Sequence, residues 1–337
     1  MKILAFESSC DETSAAVVEA DGGKGERVIL SNIVASQIDI HKRFGGVVPE
    51  VAGRAHIEAI SKITHEALET AGVTLSDIDI IGVTNTPGLI GALLVGVNFA
   101  KSLAFANNLP LVPVNHLKGH VAAAYFGYSE LNPPYLALVA SGAHTSIMDV
   151  KSHTDFETIG FTRDDAVGEA FDKAARVLGV PYPGGAEIDR LASLGNPDAV
   201  KLPSPAISGD ALEFSFSGIK TAVVNYVHNE SARGGTVCRE DVAASFTRTV
   251  CRAITEKLAA ALDLTGRDKL VIAGGVAANS HLRAAVSEMC AGRRVEFYVP
   301  DVKLCGDNAA MVGIQAYYEY MAGSTADTAL NAVATGD

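Results

Sequence analysis

The chain has 337 residues, 48% of them apolar and 20% charged, which is enough sequence for two domains and a large core and argues against a disordered or fibrous protein. Its formal net charge of −12 disfavours indiscriminate binding to polyanions, because nucleic-acid affinity rests largely on phosphate neutralisation; a nucleic-acid substrate would need a local basic patch or a partner protein. Cys10, Cys238, Cys251, Cys290 and Cys305 show no Cys-x-x-Cys spacing and are odd in number, against both a cysteine zinc site and a disulfide framework.

Residues 2–7 read as a strand, 8–13 as a small polar and acidic turn, 14–19 as a returning strand and 27–35 as a third. Actin-type ATPases begin with such a meander. The turn has two readings: a phosphate cradle of backbone amides and hydroxyls in which Asp11 or Glu12 holds a metal or activates a water, or a plain solvated hairpin. Glu7 closes the apolar run 3–6, so no signal-peptide core is expected there. The longest apolar stretch, 89–100, carries Gly91, Gly96 and Asn98 and reads as too short to span a bilayer, which predicts a cytoplasmic protein with no membrane role.

A loop at 41–46 precedes a long helix expected from Pro49 to Ala71, which carries Arg54 and His56. Lys42, Arg43 and Arg54 are either phosphate contacts or a solvated basic loop. Residues 79–84 form a predicted buried strand that runs into Asn85-Thr86-Pro87-Gly88 and a glycine-studded helix over 89–106. A helix N-terminus after such a turn favours anions, although close packing of the helix on a sheet explains Gly91 and Gly96 better.

The strand expected at 109–114 leads to Asn115-His116-Leu117-Lys118-Gly119-His120. With Asn115 as cap, His116 and His120 fall at i and i+4 on one face, side chains about 5–6 Å apart, which suits one metal ion. Leu117 stands where a zinc peptidase of the His-Glu-x-x-His type carries its general base, so that activity is not expected. A third ligand must come from elsewhere.

After the histidines the pattern restarts: strand 135–140, tight turn 141–144, strand 145–150 and a third from 156. This echo predicts an α/β protein of two similar lobes around an interlobe cleft, with residues 1–113 plus 309–337 in one lobe and 114–308 in the other. A helix is expected over 164–178 with Glu169 and Asp172 facing alike, then a loop at 181–185 and a helix bearing Glu187 and Asp189. Residues 214–220 read as a loop strapped down by two aromatics or as a functional segment, with helices filling 239–263. The lone histidines at 65, 153, 228 and 281 read as surface or packing residues.

Strand 269–273 enters Gly274-Gly275-Val276-Ala277-Ala278-Asn279, where two glycines let a ligand ring lie against backbone and the Asn279 amide can read its polar edges. A strand at 295–300 then leads to Cys305-Gly306-Asp307-Asn308 and a terminal helix. Asp307, at that strand-to-helix turn, is the candidate third metal ligand.

Together, Glu-Ser-Ser-Cys-Asp-Glu-Thr at 7–13, Phe-Gly-Gly-Val-Val-Pro-Glu at 44–50, His-Leu-Lys-Gly-His at 116–120, Gly-Glu-Ala-Phe-Asp-Lys at 168–173, Tyr-Pro-Gly-Gly at 182–185, Phe-Ser-Phe-Ser-Gly-Ile-Lys-Thr at 214–221, Gly-Gly-Val-Ala-Ala-Asn at 274–279 and Gly-Asp-Asn-Ala-Ala-Met at 306–311 resemble the TsaD family. These are the bacterial tRNA N6-adenosine threonylcarbamoyltransferases, formerly labelled glycoproteases. The resemblance implies an actin-like ATPase (ribonuclease H-like) fold. It also implies transfer of the threonylcarbamoyl group from threonylcarbamoyl-AMP to N6 of adenosine 37 in tRNAs that read codons beginning with A.

By the same resemblance His116, His120 and Asp307 would bind a divalent metal, given as Fe(2+) with Zn(2+) as the alternative. Val139, Ala140, Ser141, Gly142, Ala143, Asp172, Gly185, Asp189 and Asn279 would hold the adenine nucleotide or threonylcarbamoyl-AMP. Asp11 is the candidate general base. Implied partners are tRNA, a smaller actin-fold paralogue (TsaB-like), an ATPase subunit (TsaE-like) and the enzyme that makes the adenylate. Three positions depart from the family pattern: Lys118 for Glu, Ala143 for Gly and Thr86 for Gly. A cation at 118 would alter the field beside the metal and a methyl at 143 would crowd a phosphate, so a catalytically weakened scaffold subunit stands as the alternative function.

Overall fold

The structure, a computed structural model, describes residues 1–21, 26–204 and 212–335. Its first half contains β1 (Lys2–Glu7), β2 (Glu12–Asp21), β3 (Glu26–Ser36), α1 (Ile38–His41), α2 (Pro49–Ala71), β4 (Ile80–Thr86), α3 (Ile90–Asn107), β5 (Leu111–Asn115) and α4 (His116–Ala122). There follow β6 (Tyr135–Ala140), β7 (Thr145–Val150), β8 (Phe156–Phe161), α5 (Val167–Val177), α6 (Gly185–Ala192), α7 (Ser217–Ala232), α8 (Arg239–Thr265), β9 (Lys269–Ala273), α9 (Ser280–Arg293), β10 (Glu296–Tyr298) and α10 (Ala309–Met321).

Two compact units result: Met1–Pro133 with Ser152–Asp155 and Pro300–Asp337, and Pro134–Lys151 with Phe156–Val299. The expected breaks at 113/114 and 308/309 therefore move to 133/134 and 299/300. The reason is local: α4 continues directly from β5 and packs on α10, so both stay with the first sheet.

In the first unit the strand order is β3-β2-β1-β4-β5, with β1/β2 and β2/β3 antiparallel and β1/β4 and β4/β5 parallel. Strand β1 is apolar on both faces because helices cover both. Leu4 and Phe6 point into a cluster with Ile60 and Ile63 of α2 and Leu93 and Val97 of α3, while α10 packs on the other face of β1 and β2. Truncating a fully buried Leu or Phe of this cluster to Ala would cost about 2–5 kcal/mol.

Helix α3 is 18 residues long and apolar enough, by length and composition, to cross a membrane, contrary to the sequence expectation. Here its Leu93, Val97, Ala100 and Ala104 are buried in the core of the first unit. Gly96 is the close approach predicted for this helix: a Cβ there would stand 2.4 Å from Ser8 Oγ.

The second unit repeats the topology, with sheet order β10-β9-β6-β7-β8, β6/β7 and β7/β8 antiparallel, and β6/β9 and β9/β10 parallel. Both β6 and β7 are buried throughout. A single 27-residue helix, α8, occupies 239–265, where the sequence suggested several.

The strapped-loop reading of 214–220 is corrected, because Ser217 opens the 16-residue helix α7. Thr221, Val223, Val224, Val227 and Asn229 are poor helix formers and only Ile219 and Val223 are buried, so no periodic stripe announces this helix. Its N-terminus is held from a distance: Asp164 accepts hydrogen bonds from the Phe216 and Ser217 amides at 2.8 and 3.3 Å and from the Ser217 hydroxyl at 2.6 Å.

Candidate functional site

Helix α4 starts as its sequence dictates. The Asn115 side chain accepts hydrogen bonds from the Leu117 and Lys118 amides at 2.9 and 3.3 Å, and the fixed start sets His116 and His120 on one face with ring centroids 4.6 Å apart. Asp307 arrives from the turn before α10, whose first amides are capped by the Asn308 side chain through Met311 N at 3.1 Å. Asp307 Oδ1 lies 3.1 Å from His120 Nε2 and 3.6 Å from His116 Nε2. One ligand atom from each of the three residues lies within 4.8 Å of the others.

Both ring nitrogens of His120 are buried without a hydrogen bond, since its contact with Asp307 lacks hydrogen-bond geometry. Orphaned imidazole nitrogens beside a carboxylate fit a cation better than they fit a packing role. The two-histidine, one-carboxylate donor set suits a borderline divalent ion such as Fe(2+) or Zn(2+).

Three buried residues behind His116 escaped the sequence reading. Glu7, wholly buried at the end of β1, puts Oε2 3.0 Å from His116 Nδ1 and accepts from Thr84 Oγ1 at 2.6 Å and from Ser9 N at 2.6 Å. Ser9 Oγ lies 3.2 Å from the same nitrogen. Burial opposes charge on both members of the Glu7 and His116 pair, but their mutual attraction wins: Glu7 falls below the usual carboxylate range, and Glu7 with Asp307 raises His116 to about 9. The available signal was an acidic residue ending a strand that is otherwise apolar after Lys2.

The turn 8–13 is not a solvated hairpin, because Ser8, Ser9, Asp11 and Thr13 are all buried. Beside Asp11, burial first and then the Asp307 and Asp11 carboxylates push Glu12 up to about 9. His56 of α2 pins the turn, with Nε2 2.9 Å from the Cys10 carbonyl and Nδ1 2.8 Å from Thr13 Oγ1. Burial holds its pKa below the ordinary histidine value, so it acts as a neutral donor and acceptor. In the neighbouring loop Lys42 pairs with Asp39 at 3.1 Å, while Arg43 and Arg54 are exposed.

Lys118 does not lie with the histidines. Two residues from each, it points off their face, donates to the Thr154 carbonyl at 2.7 Å and stands 3.7 Å from Glu319 Oε1. The expected disturbance of the metal field by this cation is therefore met by a carboxylate on α10. Thr86 ends β4 with its hydroxyl buried and without a hydrogen bond, and Ala143 is exposed at the tip of its turn.

In the second unit the remaining predicted site residues form a continuous set. Ser141 N donates to the His144 carbonyl at 2.8 Å and closes the 140–144 turn. Gly168, at the start of α5, packs so tightly on it that a Cβ would stand 2.5 Å from Ser141 O. Gly274, at φ +89°, lies under Ala140, whose carbonyl oxygen would be 2.4 Å from a Cβ. Asp172 accepts from Gly184 N at 2.7 Å, next to Gly185, the first residue of α6.

Asp189 accepts from Ser280 N at 3.1 Å and faces His281 Nδ1 at 2.7 Å, tying α6 to the start of α9, which Asn279 caps through Leu282 N at 2.9 Å. His281 is thus more than the surface or packing residue its isolation in the sequence suggested. Val139 and Ala140, at the end of β6, run beside the strand that feeds the Gly274 loop.

Comparison with known proteins agrees with this geometry. A family model described as "TsaD: tRNA N6-adenosine threonylcarbamoyltransferase" matches residues 28–314. A tRNA N6-adenosine threonylcarbamoyltransferase of Clostridium botulinum (strain 657 / Type Ba4) is 51% identical over 333 residues, which are 99% of this chain and 96% of that protein. Among solved structures, component A of the Acidaminococcus fermentans (R)-2-hydroxyglutaryl-CoA dehydratase aligns with TM-score 0.57 at 16% identity, covering 95% of this chain and 99% of that one. The ROK hexokinase of Thermus thermophilus aligns with TM-score 0.50 at 16% identity, covering 95% and 100%. At such identities these two show the fold alone, the actin-like ATPase fold. With a family model over most of its length and a relative at half identity along nearly all of it, the chain belongs to the TsaD family, the tRNA N6-adenosine threonylcarbamoyltransferases.

Proposed function

We propose that this chain transfers the threonylcarbamoyl group from threonylcarbamoyl-AMP to N6 of adenosine 37 in tRNAs that read codons beginning with A. The observation that carries this reading is the meeting of His116, His120 and Asp307 in a member of this family. These three residues would hold one divalent cation, Fe(2+) or Zn(2+), through the two imidazoles and the carboxylate. Bound there, the cation supplies a Lewis acid for the carbamoyl carbonyl or the phosphate oxygens.

The chain's own groups account for the rest. The 139–143 turn offers backbone to the nucleotide, Gly274 and Gly275 admit it close to the main chain, and the Asn279 amide nitrogen, left over from capping α9, can donate to it. Asp172, Gly185 and Asp189 shape the same loop cluster. N6 of the adenosine bonds to the carbamoyl carbon, the bond from that carbon to the phosphate oxygen breaks, and AMP leaves. Asp11, buried in the turn 8–13, is the group assigned to take the N6 proton.

The family resemblance supports a smaller actin-fold paralogue and an ATPase subunit as partners, and a tRNA substrate would place the work in the cytoplasm. The net charge of −12 fits a protein that needs such help to hold tRNA. The test is an assay of the chain and its partner proteins with threonylcarbamoyl-AMP and tRNA. Modified adenosine should form with the unaltered chain and not with Asp307→Ala; full turnover by that variant would overturn the metal role.

A further inference from the structure

We infer that Glu7 is a positioning residue for His116, an inference that rests on the metal reading above and assigns a buried group that reading does not use. Glu7 is not one of the three candidate metal ligands. It is wholly buried, and both of its oxygens are engaged: Oε1 with Ser9 N at 2.6 Å, Oε2 with Thr84 Oγ1 at 2.6 Å and with His116 Nδ1 at 3.0 Å. The two hydrogen bonds from Ser9 and Thr84 aim the carboxylate, and the carboxylate aims the ring.

Three physical points give this contact a task beyond packing. An ionised carboxylate only accepts, so it keeps a proton on His116 Nδ1 and leaves Nε2 as the nitrogen turned toward Asp307 Oδ1, 3.6 Å away. A buried carboxylate is costly and an apolar residue would suit the end of an apolar strand better, so packing alone does not account for an acid here. With a divalent ion in place of the proton on His116 Nε2, Glu7 and Asp307 would supply two negative charges around two neutral imidazoles, which balances the ion. Carboxylates hydrogen-bonded to the far nitrogen of a metal-ligating histidine fix its tautomer and strengthen it as a donor. Among the described residues His120 has no such partner, since its Nδ1 makes no hydrogen bond, so the two histidines are unequal ligands and His116 is the oriented one.

The experiment titrates Co(2+) into the full-length protein, reading both affinity and the visible absorption of the bound ion, and records the melting temperature without metal. Glu7→Gln keeps size and an acceptor but removes the charge; Co(2+) affinity should fall about 10–100-fold and the absorption bands should shift. Thr84→Val leaves Glu7 in place but removes one of the bonds that aim it, and should give a smaller loss of the same kind. A purely structural Glu7 would lower the melting temperature in both variants and leave Co(2+) affinity and spectrum as in the unaltered chain, which would overturn the inference. Absence of Co(2+) binding by the unaltered chain would overturn the metal reading itself, and the inference with it.

Discussion

The Lys118 ammonium donates to the Thr154 carbonyl at 2.7 Å and lies 3.7 Å from the Glu319 carboxylate, which also accepts from Gln315 Nε2 at 3.0 Å. A residue that reads in sequence as a disturbance beside the metal is in the fold a link between α4, α10 and residues 152–155. Lys118→Met should lower stability by about 1–2 kcal/mol, because it leaves Glu319 short of its cation, while Co(2+) affinity stays within about twofold. Chemical denaturation and metal titration of one preparation separate the two effects; a large loss of metal affinity would show that Lys118 does act on the site.

Metal removal gives a second expectation. A ligand that binds only the folded chain adds about 2.7 kcal/mol of stability at one hundred times its Kd, so a chelator should lower the melting temperature of the metal-loaded protein. His120→Ala and Asp307→Ala should abolish that difference between loaded and chelated samples. A chelator effect that survives in both variants would place the metal elsewhere.

Gly274 combines a positive φ with a close backbone approach in the second unit. At φ +89° and with the Ala140 carbonyl where a Cβ would go, Gly274→Ala should cost more than the 1–3 kcal/mol typical of a strained backbone alone and displace the 140–144 turn. Gly168→Ala pushes the same turn from the α5 side. Both should weaken adenine-nucleotide binding, read by calorimetry, and leave Co(2+) binding intact. Gly292→Ala in α9, outside the nucleotide set and with no atom within 4 Å of the new methyl, is the matched control and should be tolerated.

Acid should loosen the seam around α7. Burial raises the Asp164 carboxyl, but the Ser215 and Ser217 hydroxyls and the Phe216 and Ser217 amides outweigh it; burial likewise raises Asp165, and Lys220 and Lys173 outweigh that. Both folded values therefore lie below the unfolded value of about 3.9, so their contribution is complete above that pH and is lost as pH falls through the folded values. The melting temperature should drop below about pH 4, and Asp164→Asn should flatten that limb of the profile. A slope unchanged by the substitution would assign the acid lability to other carboxylates.

How far the sequence reached depended on the range of the interaction. Helix α2 and strands β1, β6 and β9 fall where periodicity and composition put them, because a strand buried on both faces is a continuous apolar run and Pro49 and Gly72 punctuate α2. Asn115 as a cap, and with it the pairing of His116 and His120, needed only six residues of local chemistry. Helix α7 was illegible because its cap, Asp164, lies 53 residues before Ser217. Glu7 reads in the sequence as a break in an apolar run and the first residue of a family motif, since nothing within its strand reveals the histidine 109 residues away.

The sequence by itself determined the repeated strand-turn-strand pattern, the two histidines on one helical turn and the motifs of the family, because each is written in spacings of a few residues. Tertiary structure alone decided that Asp307 meets those histidines, that Glu7 stands behind one of them and that Lys118 turns away to Glu319. Those contacts join β1, α4 and α10, and packing the helices on the sheet, not any local propensity, sets the distances between them.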